Sequence, residues 1–368
     1  MILIEKNFIY NHPDWPNFTY DLSYLTNLVV QVAEKQGELR GRLKDVQIEL
    51  TNEVITQILS EELLASSEIE GQIYDRESAR QSIVKAMGFS KVKGKRNTDG
   101  YADALADAII NAKTALMKEQ LFQWHIGLFP NALDHTGKKM LVGQFTNERM
   151  LISSGALGHE KVHFMAPPPE RVNMEMNMFL FWFNSENNIH PFIKAAITHL
   201  WFEVIHPFQD GNGRIGRILI DRVLAKQEAS SLRLFSISAY LKNHRREYYE
   251  QLEKASVGNL DITKWVEWFL KSCDQAMDYA NESIDKLLSK ERFWKKYGGL
   301  KMNERQLSMI KKLLSEEFLG DLTTKKWSKM MKCSLDTAIR DMDDLMEQGI
   351  LKEMTGHKRN RKFALCEV

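Results

Sequence analysis

The sequence predicts a mainly α-helical protein with one small β-hairpin near its middle and a separately organised region of helices and two short strands at its C-terminus. Three observations carry this expectation. Apolar residues recur at spacings of three and four, as on the buried face of an amphipathic helix, through the first third of the chain and again after residue 172. Between Thr136 and Pro169 that period disappears, and short strand-like runs are separated by Gly155 and Gly158 before the segment closes on Pro167, Pro168 and Pro169. From Asn303 the pattern changes again, to short helices followed by two apolar runs around a basic turn.

A chain of 368 residues is too long for one ordinary helical core and predicts two or three domains. Its 43% hydrophobic and 27% charged content are those of a soluble globular protein. The formal net charge of +1 offers no global polycation for nucleic acid or an anionic membrane, so any partner must be argued locally. The apolar run Met178 to Phe183 is far too short to span a bilayer, and Met1 to Lys6 lacks the basic start and apolar core of a signal peptide. A cytoplasmic protein without membrane contact is expected. Cys273, Cys333 and Cys366 are widely separated, without metal or redox spacing, and should be reduced thiols.

Taken in order, residues 1 to about 20 hold Pro13, Trp15, Pro16, Phe18 and Tyr20, an irregular lead-in that should staple the N-terminus to the body. Asp21 to about Leu64 turns helical, with Leu22, Leu25, Leu28, Val29 and Val32 on one face and Leu39, Leu43, Val46 and Leu50 continuing it. In the next stretch, Leu63 to Gln72, Ser66 and Glu70 are four apart and share a helix face, with Gly71 leaving room for another surface. Taken alone this is a helix with a surface carboxylate. Lys85 to Arg96 reads as a solvated basic connection, Tyr101 to about Met117 as an Ala-rich helix, and Leu121 to Leu128 as a short helix on which His125 is structural. Val142 to Thr146, Met150 to Ser153 and Lys161 to Met165 read as short strands whose open edge could take an extended peptide. Val172 to Asn184, apolar nearly all round, reads as a core helix.

The most informative stretch runs from His206 to Arg217 and reads His-Pro-Phe-Gln-Asp-Gly-Asn-Gly-Arg-Ile-Gly-Arg, between amphipathic helices expected over Ile193 to Ile205 and Ile215 to Ala225. Pro207 should end the first helix. Gly211 and Gly213 let the backbone turn with bare amides where the second helix presents its own unpaired N–H groups, which makes an anion cradle. Arg214 and Arg217 add positive forks suited to phosphate oxygens, and Asp210 supplies a hard oxygen of the kind Mg²⁺ takes beside a nucleotide. His206 at the rim can take a proton from an attacking hydroxyl.

This stretch resembles, position for position, the signature of the Fic family: His-Pro-Phe, any residue, Asp or Glu, Gly-Asn-Gly-Arg, two of any, Arg. The resemblance implies a Fic-type helical core and adenylyl transfer, in which AMP passes from ATP to a Ser, Thr or Tyr hydroxyl of a target protein and pyrophosphate leaves. It implies His206 as general base, Asp210 as Mg²⁺ ligand, Gly211, Asn212 and Gly213 around the α-phosphate, and Arg214 and Arg217 on the β- and γ-phosphates. A related branch that phosphorylates its targets carries Lys where this chain has Gly213, which favours AMP transfer. The segment Asn147 to Met165 would be the family's flap, within a hairpin at about 142–166 that aligns the target segment. The run Ser238 to Tyr249 resembles the helix that walls the adenosine pocket and brings in Tyr240, Asn243 and Tyr248, although each tyrosine alone reads as core packing. Asp14 to Gly41 looks like the accessory N-terminal domain of some Fic proteins. Ser66, Glu70 and Gly71 match the family's inhibitory helix, Ser or Thr, three of any, Glu, Gly or Asn, placed here at about 60–75. The implied action is a pairing of Glu70 with Arg217 that blocks the γ-phosphate, in cis.

The C-terminal region resembles a winged helix-turn-helix, with helices over Arg305 to Leu314, Leu322 to Met331 and Ser334 to Gln348, and strands at Ile350 to Lys352 and Lys362 to Leu365. The third helix carries five acidic residues and only Arg340 as a base, which sets protein docking ahead of DNA binding despite the basic turn Thr355 to Arg361. The expected domains are therefore 1–115, helical with the inhibitory segment; 116–290, the catalytic core; and 300–368, the winged helix. A nucleotide-sensing DNA-binding regulator and a Fic enzyme that mainly removes AMP are the alternatives, and a homodimer stays open.

Overall fold

The computed structural model describes residues 8–44, 46–89, 100–134, 137–154, 161–227, 233–314, 318, 320–354 and 361–366. The chain divides into two compact units, Met1–Asn281 and Glu282–Val368.

In the first unit the lead-in is pinned by its aromatics. A 3-10 turn at Ile9–Asn11 buries Ile9 and Tyr10, and the rings of Trp15 and Phe18 meet Trp201 edge-on at 6.0 and 5.7 Å. The helical pattern expected over residues 21 to 64 is broken in two: α1 (Leu22–Leu43), capped by the Asp21 side chain, and α2 (Ile48–Ile69). A single helix over that span would run about 66 Å, longer than a compact unit of this size is wide, so the chain turns to bury both apolar faces. Next come α3 (Arg76–Ala86), α4 (Gly100–Ile110) and α5 (Lys118–Leu128). The expected basic connection is partly helical, since α3 takes in Lys85, and residues 90–99 lie outside the described residues. Helix α4 ends well before Met117 because the Leu116 backbone is held at both its N–H and its C=O by the Asn184 amide, at 2.8 and 2.9 Å. Gly100 and Gly127 let α4 and α5 touch backbone to backbone, where a Cβ on Gly100 would collide with the Gly127 carbonyl.

The hairpin consists of β1 (Leu151–Ser154) and β2 (Lys161–Met165), antiparallel with Leu151 opposite Met165 and an irregularity between Ile152 and Ser153. Gly155 and Gly158 of the expected flap lie outside the described residues. No strand forms over Val142 to Thr146. Gly143 has φ +69°, its N–H goes to His125, and the Thr146 N–H goes to the Pro207 carbonyl, so this backbone is spent on the 206–217 loop and not on a ladder.

Helix α6 (Pro169–Asn184) is amphipathic, not buried all round as expected. Phe181 is 80% and Met174 52% exposed, while Val172, Met176, Phe179 and Phe183 face the core with Glu175, whose carboxylate takes hydrogen bonds from Trp15 and Arg171. Helices α7 (Pro191–Ile205) and α8 (Asn212–Gln227) pack antiparallel at the centre, and Gly216 makes this possible: a Cβ there would press on Glu203 at 2.9 Å and His199 at 3.0 Å. Then follow α9 (Ile237–Asn243), α10 (Arg245–Ala255) and α11 (Thr263–Tyr297), which crosses the unit boundary.

The domains expected at 1–115 and 116–290 meet in this unit, where their described residues up to Asn281 share one core. Helix α2 lies on α9 and α4 on α8. The buried Glu62 carboxylate of α2 accepts from the Ser236 hydroxyl at 2.7 Å, the Ser238 N–H at 3.1 Å and the Ser238 hydroxyl, and so sits at the N-terminus of α9 where a negative charge is favoured. A buried Asp221–Arg233 pair at 2.7 Å braces α8 to the approach to α9.

The second unit contains α12 (Glu304–Leu313), α13 (Thr324–Met331), α14 (Leu335–Glu347) and an antiparallel pair, β3 (Leu351–Glu353) with β4 (Phe363–Leu365). Its core gathers Phe293, Tyr297, Ile310, Trp327, Met342, Leu345 and Phe363 among others. Asn303 and Gln306 form a capping box on α12, Ser334 caps α14, and Gly349 stops it at φ +69°. One of the acidic residues of α14 is structural: Asp341 is buried and accepts from Arg305 Nε and Nη2, at 2.8 and 3.0 Å. Residues 355–360 of the basic turn lie outside the described residues.

Glu62→Ala should lower the stability of the first unit by about 2–4 kcal/mol, because it leaves buried hydroxyls and a helix-end N–H unpaired. A urea unfolding midpoint indistinguishable from the parent would show that the cap contributes nothing.

Candidate active site

The 206–217 loop is built as the turn between α7 and α8. His206 closes α7 in the left-handed region, φ 50° and ψ 58°, and Gly211 turns at φ +82° with no room for a Cβ, which would meet the Phe129 ring at 2.7 Å. Asn212 braces the loop from inside: its side chain accepts from the Phe208 N–H at 2.9 Å and donates to the Phe208 carbonyl at 2.7 Å. Its amide group is engaged within the loop, and the backbone N–H of Asn212 is what faces the helix end. Phe208 is buried against His125, ring to ring at 4.2 Å. His125 in turn stitches two loops, with Nδ1 accepting from the Gly143 N–H at 3.2 Å and Nε2 donating to the Asp210 carbonyl at 3.1 Å. It is structural, as its sequence context suggested, but its task is to hold the loop. Leu141 adds a bond from its N–H to Gln209 at 2.7 Å.

The first turn of α8 presents the N–H groups of Asn212, Gly213 and Arg214, which a helix leaves without intrahelical acceptors. Both arginines of the motif reach this end and both are held by the C-terminal end of α2. Arg217, fully buried, donates from Nε to the Ser66 hydroxyl at 2.8 Å and from Nη2 to the Ser66 carbonyl at 2.9 Å and to Glu70 Oε1 at 2.8 Å. Its Nη1 has no partner. Burial disfavours the Arg217 cation, yet the charge of Glu70 with the neighbouring tyrosines outweighs it and the guanidinium stays firmly protonated. Arg214 stacks on the Phe129 ring at 4.6 Å and donates to Gln72 at 2.9 Å. Glu70 lies directly over Gly213, where a Cβ would collide with its Oε1, so the glycine is what lets the carboxylate in.

Gly71 has a different task from the one its sequence suggested. Nothing lies within 4 Å of a Cβ built there, so it makes no close approach; it sits at φ +79° just past Glu70, which caps α2, and the N–H of Gln72 returns to the Ser67 carbonyl. Glycine ends the helix in the one conformation that delivers Glu70 to Arg217 and Gln72 to Arg214.

His206 is the group suited to move a proton. Burial pushes its imidazole down to about 4, against the Glu203 carbonyl, Glu70 and Asp210, so it is neutral at physiological pH. Nδ1 lies 3.3 Å from the Glu203 carbonyl, which holds the proton on Nδ1 and leaves the Nε2 lone pair for a substrate. Glu203 itself is pushed up to about 8 by burial, countered by Arg217, and its Oε2 lies 3.8 Å from His206 Nδ1. Asp210 is at the mouth, its carboxylate 21% exposed, with Oδ1 accepting the Gly211 N–H at 2.6 Å and lying 3.8 Å from Arg214.

The three residues expected around adenosine fare differently. Tyr248 is 1% exposed, its ring packed near Trp268 and its hydroxyl 2.7 Å from His199 Nε2, so it is closed to a base; it belongs to the core. Tyr240 is half-buried with one face against His244 at 4.0 Å, and Asn243 is exposed at the end of α9. Helix α9 is tied to α2 by Lys242 and Glu68 at 3.2 Å. Sequence reasoning passed over Gln72, Glu203 and Phe129. Gln72 stands next to Gly71 in a stretch already singled out, and Glu203 is three residues before the motif histidine on the same helix face.

The Fic/DOC family pattern matches residues 115–224, which contain the whole loop. Residues 115–224 form a Fic/DOC family domain. Residues 8–89 match a second pattern, described only as a domain of unknown function, DUF4172. A probable protein adenylyltransferase of Aquifex aeolicus is 33% identical over 101 residues, 27% of this chain and 29% of that protein. The protein adenylyltransferase Fic of Aedes aegypti is 32% identical over 114 residues, 30% of this chain and 21% of that one. The chain thus spans less than a third of the length of these relatives. A Fic family protein from Desulfovibrio desulfuricans G20 shares the fold over 92% of this chain and 96% of its own, with a TM-score of 0.52 at 21% identity.

In the Fic domain the neutral state of His206 has a direct signature. Its ring protons followed by NMR should show no titration between pH 5.5 and 8 and a midpoint near 4, the cation appearing only below that. A midpoint above 6 would place the imidazole in a more open or more negative site than this one.

Proposed function

We propose that the protein is a protein adenylyltransferase that transfers AMP from ATP to a Ser, Thr or Tyr hydroxyl of a target protein, and that Glu70 inhibits it in cis. The observation that carries this reading is the Arg217 guanidinium at the rim of an anion cradle, held by Ser66 and Glu70 of the same chain. The N–H groups of Asn212, Gly213 and Arg214 would receive the α-phosphate, with Arg214 and Arg217 on the β- and γ-phosphates. The target hydroxyl attacks the α-phosphorus, His206 Nε2 takes its proton, and the bond to the bridging oxygen breaks as pyrophosphate leaves. Among the described residues no cluster of three or more His, Cys, Asp or Glu is placed to hold a metal. Mg²⁺ needs no such cage: one carboxylate beside substrate phosphates suits it, and Asp210 at the cradle mouth would hold it, where the ion would neutralise charge on the triphosphate. With Glu70 on Arg217 the γ-phosphate lacks its clamp, and ATP lies in a pose unfit for in-line attack.

We read the second unit as a winged helix-turn-helix that docks a protein target. The exposed Asp336, Asp344 and Glu347 of α14 would repel DNA phosphates. Deletion of residues 300–368 should impair modification of the natural target and spare self-modification. Equal loss of both would assign the unit to the integrity of the core, and tight, salt-dependent binding of one DNA sequence would favour a regulator.

Glu70→Gly should activate the enzyme. A charge-assisted hydrogen bond contributes roughly 1.5–3 kcal/mol, so freeing Arg217 should raise AMP incorporation about tenfold to a hundredfold. Glycine costs little at a helix cap, where Glu70 already has φ −90° and ψ 9°. Self-modification measured with labelled ATP should be strong in the variant, weak in the parent, and absent from Glu70→Gly combined with His206→Ala. Equal incorporation by parent and Glu70→Gly would reduce the Ser66 to Gly71 segment to an ordinary helix end.

A further inference from the structure

The α7–α8 pair carries a second concentration of positive charge, at the end opposite the Fic loop. A cavity of about 240 Å³ lies there between the start of α7, with Pro191 and Lys194, and the last turns of α8, with Arg222 and Lys226; Asn187 and Glu186 of the preceding connection complete it. Lys194 and His206 are twelve residues apart on one helix, which separates the cavity from the cradle by about 18 Å.

Two side chains lining this cavity have unmet hydrogen-bonding capacity. Arg222 is 1% exposed; its Nη2 donates to the Thr114 carbonyl at 2.9 Å, but Nε and Nη1 have no partner. Both polar atoms of the Asn187 amide are buried without a partner. A buried guanidinium with two unmet N–H groups is costly unless something accepts from it, and an oxyanion in the cavity would answer that charge. Helix α7 begins at Pro191 without a side-chain cap, so its positive end adds to the same field. Lys194 donates to the Ser185 carbonyl at 3.1 Å, and burial with the charge of Lys226 pushes its amine down to about 8. Three cations face one lining carboxylate, Glu186, while Asp107, which does not line the cavity, offsets part of the Arg222 charge.

We propose that this cavity is a second anion site, which binds the phosphoryl group of a small molecule through Arg222, Lys194 and Lys226 with the Asn187 amide as a further donor. Its excess of positive charge calls for a dianion, which a phosphoryl group is and a carboxylate is not. Its volume is below the roughly 300–1,000 Å³ of pockets for drug-sized ligands, so the occupant is the size of inorganic phosphate or pyrophosphate. The site is independent of the transfer reaction and stands whether or not that reading holds.

The test uses the full chain, inorganic phosphate and pyrophosphate. Lys194, with its lowered pKa, should react with an acylating reagent at pH 8 ahead of ordinary lysines, and mass spectrometry should find that labelling suppressed by either anion at millimolar concentration but not by chloride at matched ionic strength. In calorimetric titrations Lys194→Gln/Lys226→Gln should bind at least about tenfold more weakly than the parent, as expected when charge-assisted bonds are lost. The two lysines are partly exposed, so the double variant does not depend on replacing a core residue. Labelling of Lys194 unaffected by both anions, or equal affinity in parent and double variant, would overturn the site and leave a cavity filled by water.

Discussion

The structure turns on one buried cation. Arg217 lies with no exposure at the junction of α2, α7 and α8, and a guanidinium in that position must be paired. Its present partners, the Ser66 hydroxyl and carbonyl and the Glu70 carboxylate, all come from the last turn of α2. The same site presents a helix end and glycines of the kind that suit an anion, so under the proposed function a carboxylate and a phosphate are alternative solutions to one electrostatic requirement. Much of the first unit can be understood as keeping the two candidates within reach of the same nitrogen. Glu62 fastens α2 to α9, Gly71 ends α2 at the right residue, and Gly213 gives Glu70 the space to approach.

The other half of the site is arranged to stay neutral. His206 and His199 are pushed down by burial, to about 4 and about 3, and Glu203 up to about 8. Three titratable side chains around Arg217 therefore carry no charge at pH 7, leaving Glu70 as the carboxylate that answers the guanidinium. Neutral His206 is also the form a general base requires. Burial thus serves selectivity and chemistry together: it silences groups that would compete for the arginine and keeps the imidazole able to accept a proton.

The parts of this arrangement that were legible in the sequence are those written in consecutive residues. The two helices around the 206–217 loop, the loop's glycines and the Ser66 to Gly71 spacing all depend on local order, and each element lies within a few residues of its expected limits. What the sequence concealed depends on distance in space. Gln72 meets Arg214 across 142 positions, and Glu62 caps a helix whose first bond to it is 174 positions away. No periodicity records such pairs. Tyr248 misled for the opposite reason: its position in a motif-like run suggested a nucleotide wall, whereas its ring fills the core and its hydroxyl satisfies His199. The run Val142 to Thr146 had the composition of a strand, but its N–H groups were claimed by His125 and Pro207.

The central claim is that Glu70 and the γ-phosphate of ATP compete for Arg217. The most direct measurement is the ratio of ADP to ATP dissociation constants, by calorimetry with Mg²⁺, in the parent and in Glu70→Gly. Competition predicts a ratio near one in the parent, where the γ-phosphate finds its partner taken, and a preference for ATP of about tenfold or more in the variant, where the freed guanidinium supplies a charge-assisted bond. The same ratio in both proteins would contradict the account, because Glu70 would then rest on Arg217 without standing in the way of the nucleotide.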